Sequence, residues 1–291
     1  MNVRAAREDE THAIAELIDA HAREVFRESD MSEDEIRHWF SLPNVWILVA
    51  EQNGELCGYL DGLTGPAGDA NELYACTLDE EAAHALLIAA QERVGVGVLR
   101  AVAAGGDPVL TAALEEDEWR PVRHTFQMRI DLNGDLPEPS WPEGISVRRF
   151  RPGEERRVYE ANNIAFAEGW YFHPFPFEEW HAFHFGRPGH DPELWWLAED
   201  GDELAGYSLN SWHFSGDPQL GRVGSLGVMP AHRRRGLGEA LLRHSFRDFR
   251  DRGATRVALG VDSENETGAV RLYERVGMHV HRHNTNYEKE L

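Results

Sequence analysis

The stretch Gly221–Phe246 reads G-R-V-G-S-L-G-V-M-P-A-H-R-R-R-G-L-G-E-A-L-L-R-H-S-F, and the fold is read outward from it. Its apolar run from Val223 to Val228 predicts a strand, Arg233, Gly236 and Gly238 spell R-x-x-G-x-G, and the residues that follow predict a helix. Glycine at 236 and 238 lets the backbone come close to a ligand with no Cβ in the way. The helix opens with unpaired N–H groups at the positive end of its dipole, which is a setting for an anion. Arg233, Arg234 and Arg235 add forked, permanently charged donors suited to phosphate. A turn followed by a solvated basic patch would also explain a lone G-x-G. The surroundings outweigh that plainer reading, because the arginine triplet interrupts a chain of net charge -22 and N-E-T-G-A-V-R-L-Y-E-R-V-G-M follows at Asn265–Met278.

Together, V-x-P-x-x-R-R-x-G-x-G and N-x-x-x-A-x-x-L-Y-x-x-x-G-M, in this order and spacing, resemble the GNAT acetyltransferases, which use acetyl-CoA. The likeness is detailed in the C-terminal half and holds in outline in the N-terminal half. It implies acetyl-CoA as co-substrate, bound by Leu226, Gly227, Val228, Arg233, Arg234, Arg235, Gly236, Leu237, Gly238 and Glu239, with Asn265 on the cofactor arm. It also implies that the strand Val223–Val228 splays from Val257–Val261, so that a thioester enters the gap and backbone N–H groups polarise its carbonyl. Tyr273 is then the catalytic acid, since a phenol of pKa about 10 can protonate a departing thiolate. Each of these residues has a simpler role as well: Asn265 as a cap or turn, Tyr273 as a core aromatic.

Composition narrows the field. A chain of 291 residues suggests two domains, each able to bury a core. The surplus of 51 acidic over 29 basic residues disfavours nucleic acid or an anionic membrane as partner. Cys57 and Cys76 are the only cysteines, which fits a reducing cytoplasm rather than a disulfide framework. The N-terminus has early charges and no apolar leader, and no run reaches the ~18 apolar residues of a membrane helix. The expectation is a cytoplasmic protein, monomer or homodimer, with a small-molecule amine as substrate.

The chain also repeats itself. W-I-L-V-A-E-Q-N-G-E-L-C-G-Y at Trp46–Tyr59 overlies L-W-W-L-A-E-D-G-D-E-L-A-G-Y at Leu194–Tyr207, with Gly58 on Gly206 at an offset of 148. Each segment predicts a hairpin. Arg123 falls on Arg282 at an offset of 159, so the first half is shorter by 11 in the region of the glycine loop. There it reads C-T-L-D-E-E-A-A-H-A-L-L from Cys76, acidic and without glycine, and Leu114 lies under Tyr273. The fold expected is α/β (α+β): two tandem GNAT-like domains, each a mixed, mostly antiparallel sheet flanked by helices, with splayed strands in the second. The boundaries are 1–133 for a degenerate domain without the loop, 134–144 for a Pro/Gly-rich linker, and 145–291 for the catalytic domain, giving one cofactor site.

The tandem arrangement is similar to mycothiol synthase-like proteins of actinobacteria, where a glutamate follows the glycine that opens the central strand. Here Arg222 follows Gly221. The base therefore stays open among Glu168, His173, Glu178, Glu179, His181, His184, His213 and Asp217. The aromatic segment Gly169–Phe185 reads either as packing or as an acceptor pocket shaped by Trp170, Tyr171, Phe175 and Trp180. His279, His281 and His283 alternate on one strand face without a carboxylate or cysteine in register, so no metal is expected. The function expected is N-acetyl transfer from acetyl-CoA to a small-molecule amine by direct attack. Its alternatives are a non-catalytic acyl-CoA sensor and a protein lysine or N-terminal acetyltransferase.

Overall fold

The computed structural model describes residues 1–68, 70–265 and 267–291. The chain forms two compact units, one of Met1–Thr125 with His283–Leu291 and one of Phe126–Arg282. The first unit runs β1 (Asn2–Ala5), α1 (Thr11–Phe26), α2 (Glu33–Ser41), β2 (Val45–Gln52), β3 (Glu55–Thr64), β4 (Ala70–Thr77), α3 (Glu80–Val94), β5 (Val98–Ala104), α4 (Pro108–Glu116) and the start of β6 (Arg120–Asp131). Strands β1 to β4 pair antiparallel, β4 and β5 pair parallel, and Asn284–Glu290 returns antiparallel along β5. The β2–β3 hairpin turns on Asn53 and Gly54, with φ of 55° and 87°. That is Asn-Gly in the left-handed conformation which matches strand twist.

Alternation along β2 and β3 divides the core between the two sheet faces. Leu48 and Leu60 meet Leu86, Leu87 and Leu114 from α3 and α4. Val49 and Tyr59 meet Ile14, Ile18 and Ile36 from α1 and α2.

The second unit takes the rest of β6, then β7 (Ile145–Arg149), α5 (Glu155–Phe166), α6 (Phe177–Phe185), β8 (Trp196–Asp200), β9 (Glu203–Trp212), β10 (Leu220–Val228), α7 (Leu237–Asp251), β11 (Arg256–Asp262), α8 (Ala269–Arg275) and the start of β12 (His279–Glu290). Strands β7 to β10 pair antiparallel, β10 and β11 pair parallel, and β6 lies beside β11. The element order of the first unit thus recurs, and the two expected hairpins are β2–β3 and β8–β9.

Buried residues of α7 fall at helical spacing: Leu237, Ala240, Leu241, Leu242, Ser245, Phe246 and Phe249. Ser245 is satisfied inside, bonding the Ser208 hydroxyl at 3.1 Å and accepting from Asn210 Nδ2 at 3.0 Å. Residues 135–142 form neither helix nor strand. Leu136 among them is buried, and its carbonyl accepts from Arg247 Nη1 at 2.7 Å, which fastens the segment to α7. Among the described residues no helix is long and apolar enough to cross a membrane.

Candidate functional site

Strand β10 is held on one side only for much of its length. Its parallel pairing with β11 covers Leu220–Arg256, Gly221–Val257 and Arg222–Ala258, while its pairing with β9 continues to Val228–Gly206. From Val223 onward, among the described residues, no pairing of β10 with β11 continues, so the β10 groups on that side are not bonded to β11. The register with β9 shifts between Val223 and Ser225, a bulge at Gly224. Gly221 leaves room for Phe249, whose Cδ1 would lie 2.6 Å from an added Cβ.

Gly227 faces Tyr207 across the strand pair, and a Cβ there would lie 2.2 Å from Tyr207 Cζ. The Tyr207 hydroxyl donates to Asn162 Oδ1 at 3.1 Å, and Ser225 Oγ donates to the same oxygen at 2.8 Å. Sequence reasoning missed this set beside the strand opening. Its only signal was the register that sets a tyrosine against a glycine.

The loop after β10 passes through a 3-10 turn at Pro230–His232 and two left-handed residues, Arg234 (φ 62°) and Gly236 (φ 86°). A left-handed arginine costs about 1 kcal/mol. Gly236 is the N-cap of α7 and no side chain caps it, so the first N–H groups of the helix stay available. A Cβ on Gly236 would meet nothing within 4 Å, so the approach is open. Gly238 serves close packing instead, since its Cβ would lie 3.1 Å from Leu272 Cδ2 on α8. Leu237 is buried, with Leu226 and Val228 packed against the same cluster.

The three arginines divide in their roles. Arg233 is committed within the protein, donating to Val228 O at 3.2 Å, Ala165 O at 3.3 Å and Glu168 Oε2 at 2.7 Å. Arg235 reaches Asp200 Oδ2 at 3.4 Å and Glu143 O at 3.1 Å. Arg234 is exposed and makes no hydrogen bond or ion pair among the described residues. Glu239, in the first turn, accepts from Arg243 Nε at 3.0 Å.

The corresponding helix of the first unit is closed. Only Leu78 and Asp79 separate β4 from α3, where Met229–Gly236 separate β10 from α7. Asp79 caps α3, its carboxylate accepting from Ala82 N at 2.8 Å. Leu114, the counterpart of Tyr273, is wholly buried.

Tyr273 sits on α8 among Phe246, Leu259 and Met278, with Leu226 of β10 packed on the same cluster. Burial alone pushes its phenol up to about 12, and its hydroxyl has no hydrogen-bond partner among the described residues. The proton is therefore held through neutral pH. Asn265 forms a turn, its Oδ1 accepting from Thr267 N at 2.9 Å.

Of the residues weighed as base, Glu168 is tied to Arg233, Asp217 to Arg256 at 2.7 Å, and burial pushes His184 down to about 4. Trp180 goes to the core with Val158 and Trp195 rather than to a pocket, because α6 lays that face on α5 and β8. His279, His281 and His283 are all exposed.

Residues 156–278 match the Acetyltransferase (GNAT) family. A protein of Salinispora arenicola named mycothiol acetyltransferase is 34% identical over 254 residues, covering 84% of this chain and 81% of the relative. One of the same name from Streptomyces coelicolor is 33% identical over 303 aligned residues, covering 98% and 88%. Among solved structures, a GCN5-related N-acetyltransferase from Sphaerobacter thermophilus superposes with a TM-score of 0.79 at 31% identity over 99% of this chain and 95% of that one. A tandem GNAT protein from the clavulanic acid biosynthesis pathway gives 0.78 at 15% identity over 99% and 98%, a likeness of fold alone.

Proposed function

This chain belongs to the GNAT acetyltransferases, and from that premise we propose that it carries an acetyl group from acetyl-CoA to the primary amine of a small molecule, at one site in the second unit. The observation that carries the reading is the contrast between two equivalent helix mouths. That of α7 is open, glycine-lined and uncapped, and that of α3 is filled by Asp79.

The residues fit the cofactor on its own terms. The first-turn N–H groups of α7 would hold its phosphates, with Arg234 the nearby cation that no other contact occupies among the described residues. The free edge of β10 beyond Arg222 would bond the amide-bearing arm as a neighbouring strand does. Acetyl-CoA supplies an activated acetyl group as a thioester. A β10 N–H aimed into the opening polarises the acetyl carbonyl as the amine attacks. Tyr273, protonated through neutral pH, would give its proton to the departing sulfur and be reprotonated by the proton that the acylated nitrogen releases. The set Tyr207, Asn162 and Ser225 keeps β10 in position at Gly227.

The relatives named mycothiol acetyltransferase make an amine connected with mycothiol the first acceptor to try. Arg222, where mycothiol synthase-like proteins have glutamate, calls for a wider panel of amino sugars, aminoglycosides, amino acids, polyamines and peptides. The test is release of free thiol from acetyl-CoA across that panel by the wild-type chain, Tyr273→Phe and Gly236→Asp. Turnover of at least one amine, lost in both variants, is expected. Binding of acetyl-CoA with no amine acetylated would replace the reading by an acyl-CoA sensor.

A further inference from the structure

Arg233 stands in the R-x-x-G-x-G motif, where resemblance to the family assigns it to the cofactor. Its side chain is employed elsewhere. Each of its guanidinium nitrogens donates within the second unit: Nε to Val228 O at 3.2 Å, Nη2 to Ala165 O at 3.3 Å and Nη1 to Glu168 Oε2 at 2.7 Å. Val228 ends β10, Ala165 lies in the last turn of α5, and Glu168 lies just beyond that helix. The last carbonyls of a helix have no intrahelical N–H to accept, and the helix dipole favours a cation there. Arg233 thus closes the end of α5, while its backbone belongs to the loop that leads to α7.

Residues 167–176 join α5 to α6. They are pinned near both ends, at Glu168 by Arg233 and at Phe175, whose carbonyl accepts from the Tyr159 hydroxyl at 2.7 Å. Between the pins, Gly169 N donates to Phe166 O at 2.7 Å and Phe172 N to Gly169 O at 3.3 Å. Tyr171 there is left-handed, with a φ of 54°. A tyrosine keeps such a φ only where its surroundings over-determine it, so the segment depends on its pins. It carries Trp170, Tyr171 and Phe175, the aromatic side chains that the sequence offers to an acceptor, and Arg233 ties it to the end of β10.

We propose that Arg233 is a positioning residue rather than a phosphate ligand: it joins segment 167–176, the acceptor side of the site, to the cofactor loop, so that a bound cofactor orders the segment. The cofactor half of this rests on the acetyl-CoA reading above, and the tie rests on the three hydrogen bonds alone. An arginine whose backbone lies in one loop and whose side chain holds another makes the order of each depend on the other. The phosphates are left to the first N–H groups of α7 and to Arg234.

Hydrogen–deuterium exchange of the full-length chain, with and without coenzyme A, tests the tie, and calorimetric titration with coenzyme A tests the phosphate contact. In wild type, coenzyme A should slow exchange at the Gly169 and Phe172 amides as well as across residues 229–240. In Arg233→Gln it should slow only the latter, while the dissociation constant stays within about threefold of wild type. Without ligand, loss of this pin should speed exchange at Gly169 and Phe172 by about tenfold, one charge-assisted bond's worth. Glu168→Gln, at a side chain 71% exposed, is the second variant should Arg233→Gln fail to fold, and the same changes are expected of it. A dissociation constant at least about tenfold weaker in Arg233→Gln would make the arginine a phosphate ligand and overturn the proposal. So would a segment that ignores coenzyme A in wild type or still responds to it in Arg233→Gln. If wild type binds no coenzyme A, the acetyl-CoA reading falls, and unchanged exchange at Gly169 and Phe172 in the ligand-free variants would overturn the tie as well.

Discussion

Replacing Gly236 by aspartate gives α7 the acidic cap that α3 already has at Asp79, and it sets stability against affinity. An aspartate N-cap is worth about 1 kcal/mol to a helix. The φ of 86° at this position costs a non-glycine residue about 1–2 kcal/mol. The two nearly cancel, and nothing within 4 Å of the new Cβ adds a clash. Affinity has no such compensation. A carboxylate about 5 Å from one phosphate charge repels it by about 3 kcal/mol at an effective dielectric near 20, before the lost N–H donors are counted. Acetyl-CoA should therefore bind at least about 100-fold more weakly to Gly236→Asp, with a melting temperature within about 4 °C of wild type. Gly236→Ala is the control, since it carries the strain without charge or cap, and its dissociation constant should rise less than about tenfold. Calorimetric titration with acetyl-CoA and thermal unfolding followed by circular dichroism supply both numbers. A Gly236→Asp chain that binds within about threefold of wild type would place the anion elsewhere and refute the reasoning.

Tyr273→Phe removes a hydroxyl without a partner among the described residues, so melting and acetyl-CoA affinity should hold while kcat falls about 10²–10⁴-fold in steady-state assays. Gly227→Ala drives a methyl to 2.2 Å from Tyr207 Cζ, on a ring that is 0% exposed and bonded to Asn162, and urea unfolding should show a loss of about 2–3 kcal/mol. Burial raises Asp61 from 3.8 to about 7, so between those values the folded state keeps a proton that the unfolded state has released. Stability should then fall as pH rises through that window, by up to roughly 4 kcal/mol from this group, and urea titrations of Asp61→Asn should show a flatter profile than wild type.

What could be read from the sequence is what short-range pattern carries. The hairpins at Trp46–Tyr59 and Leu194–Tyr207 became β2–β3 and β8–β9 because two apolar runs around a polar turn have few other ways to fold. Helix α6 spans Phe177–Phe185, the stretch where the prolines at 174 and 176 give way to helical spacing. What could not be read depends on partners distant in sequence. Arg233 finds Glu168 and Ala165, and Arg235 finds Asp200 and Glu143, so a run of three like charges separates into two tethers and one exposed cation. The division into units falls inside β6, after Thr125, and inside β12, after Arg282. Linker composition at 134–144 carries no trace of that, because strand exchange is decided by pairing such as Asn284–Glu290 along β5.

The two helix mouths also account for why one repeat would keep the chemistry and the other lose it. An open mouth is costly for the fold: α7 forgoes an N-cap worth about 1 kcal/mol and its loop holds Arg234 at a φ of 62°. On the proposed reading, a bound anion would offset that cost. In the first unit the connection shrinks to Leu78 and Asp79, the cap forms, and the same helix–sheet frame becomes more stable without a ligand. The shorter loop and the acidic cap are thus one change seen twice. On the same reading, a unit relieved of that cost has no thioester to hold, and the buried Asp61 stands in it where the second unit has the apolar Leu209.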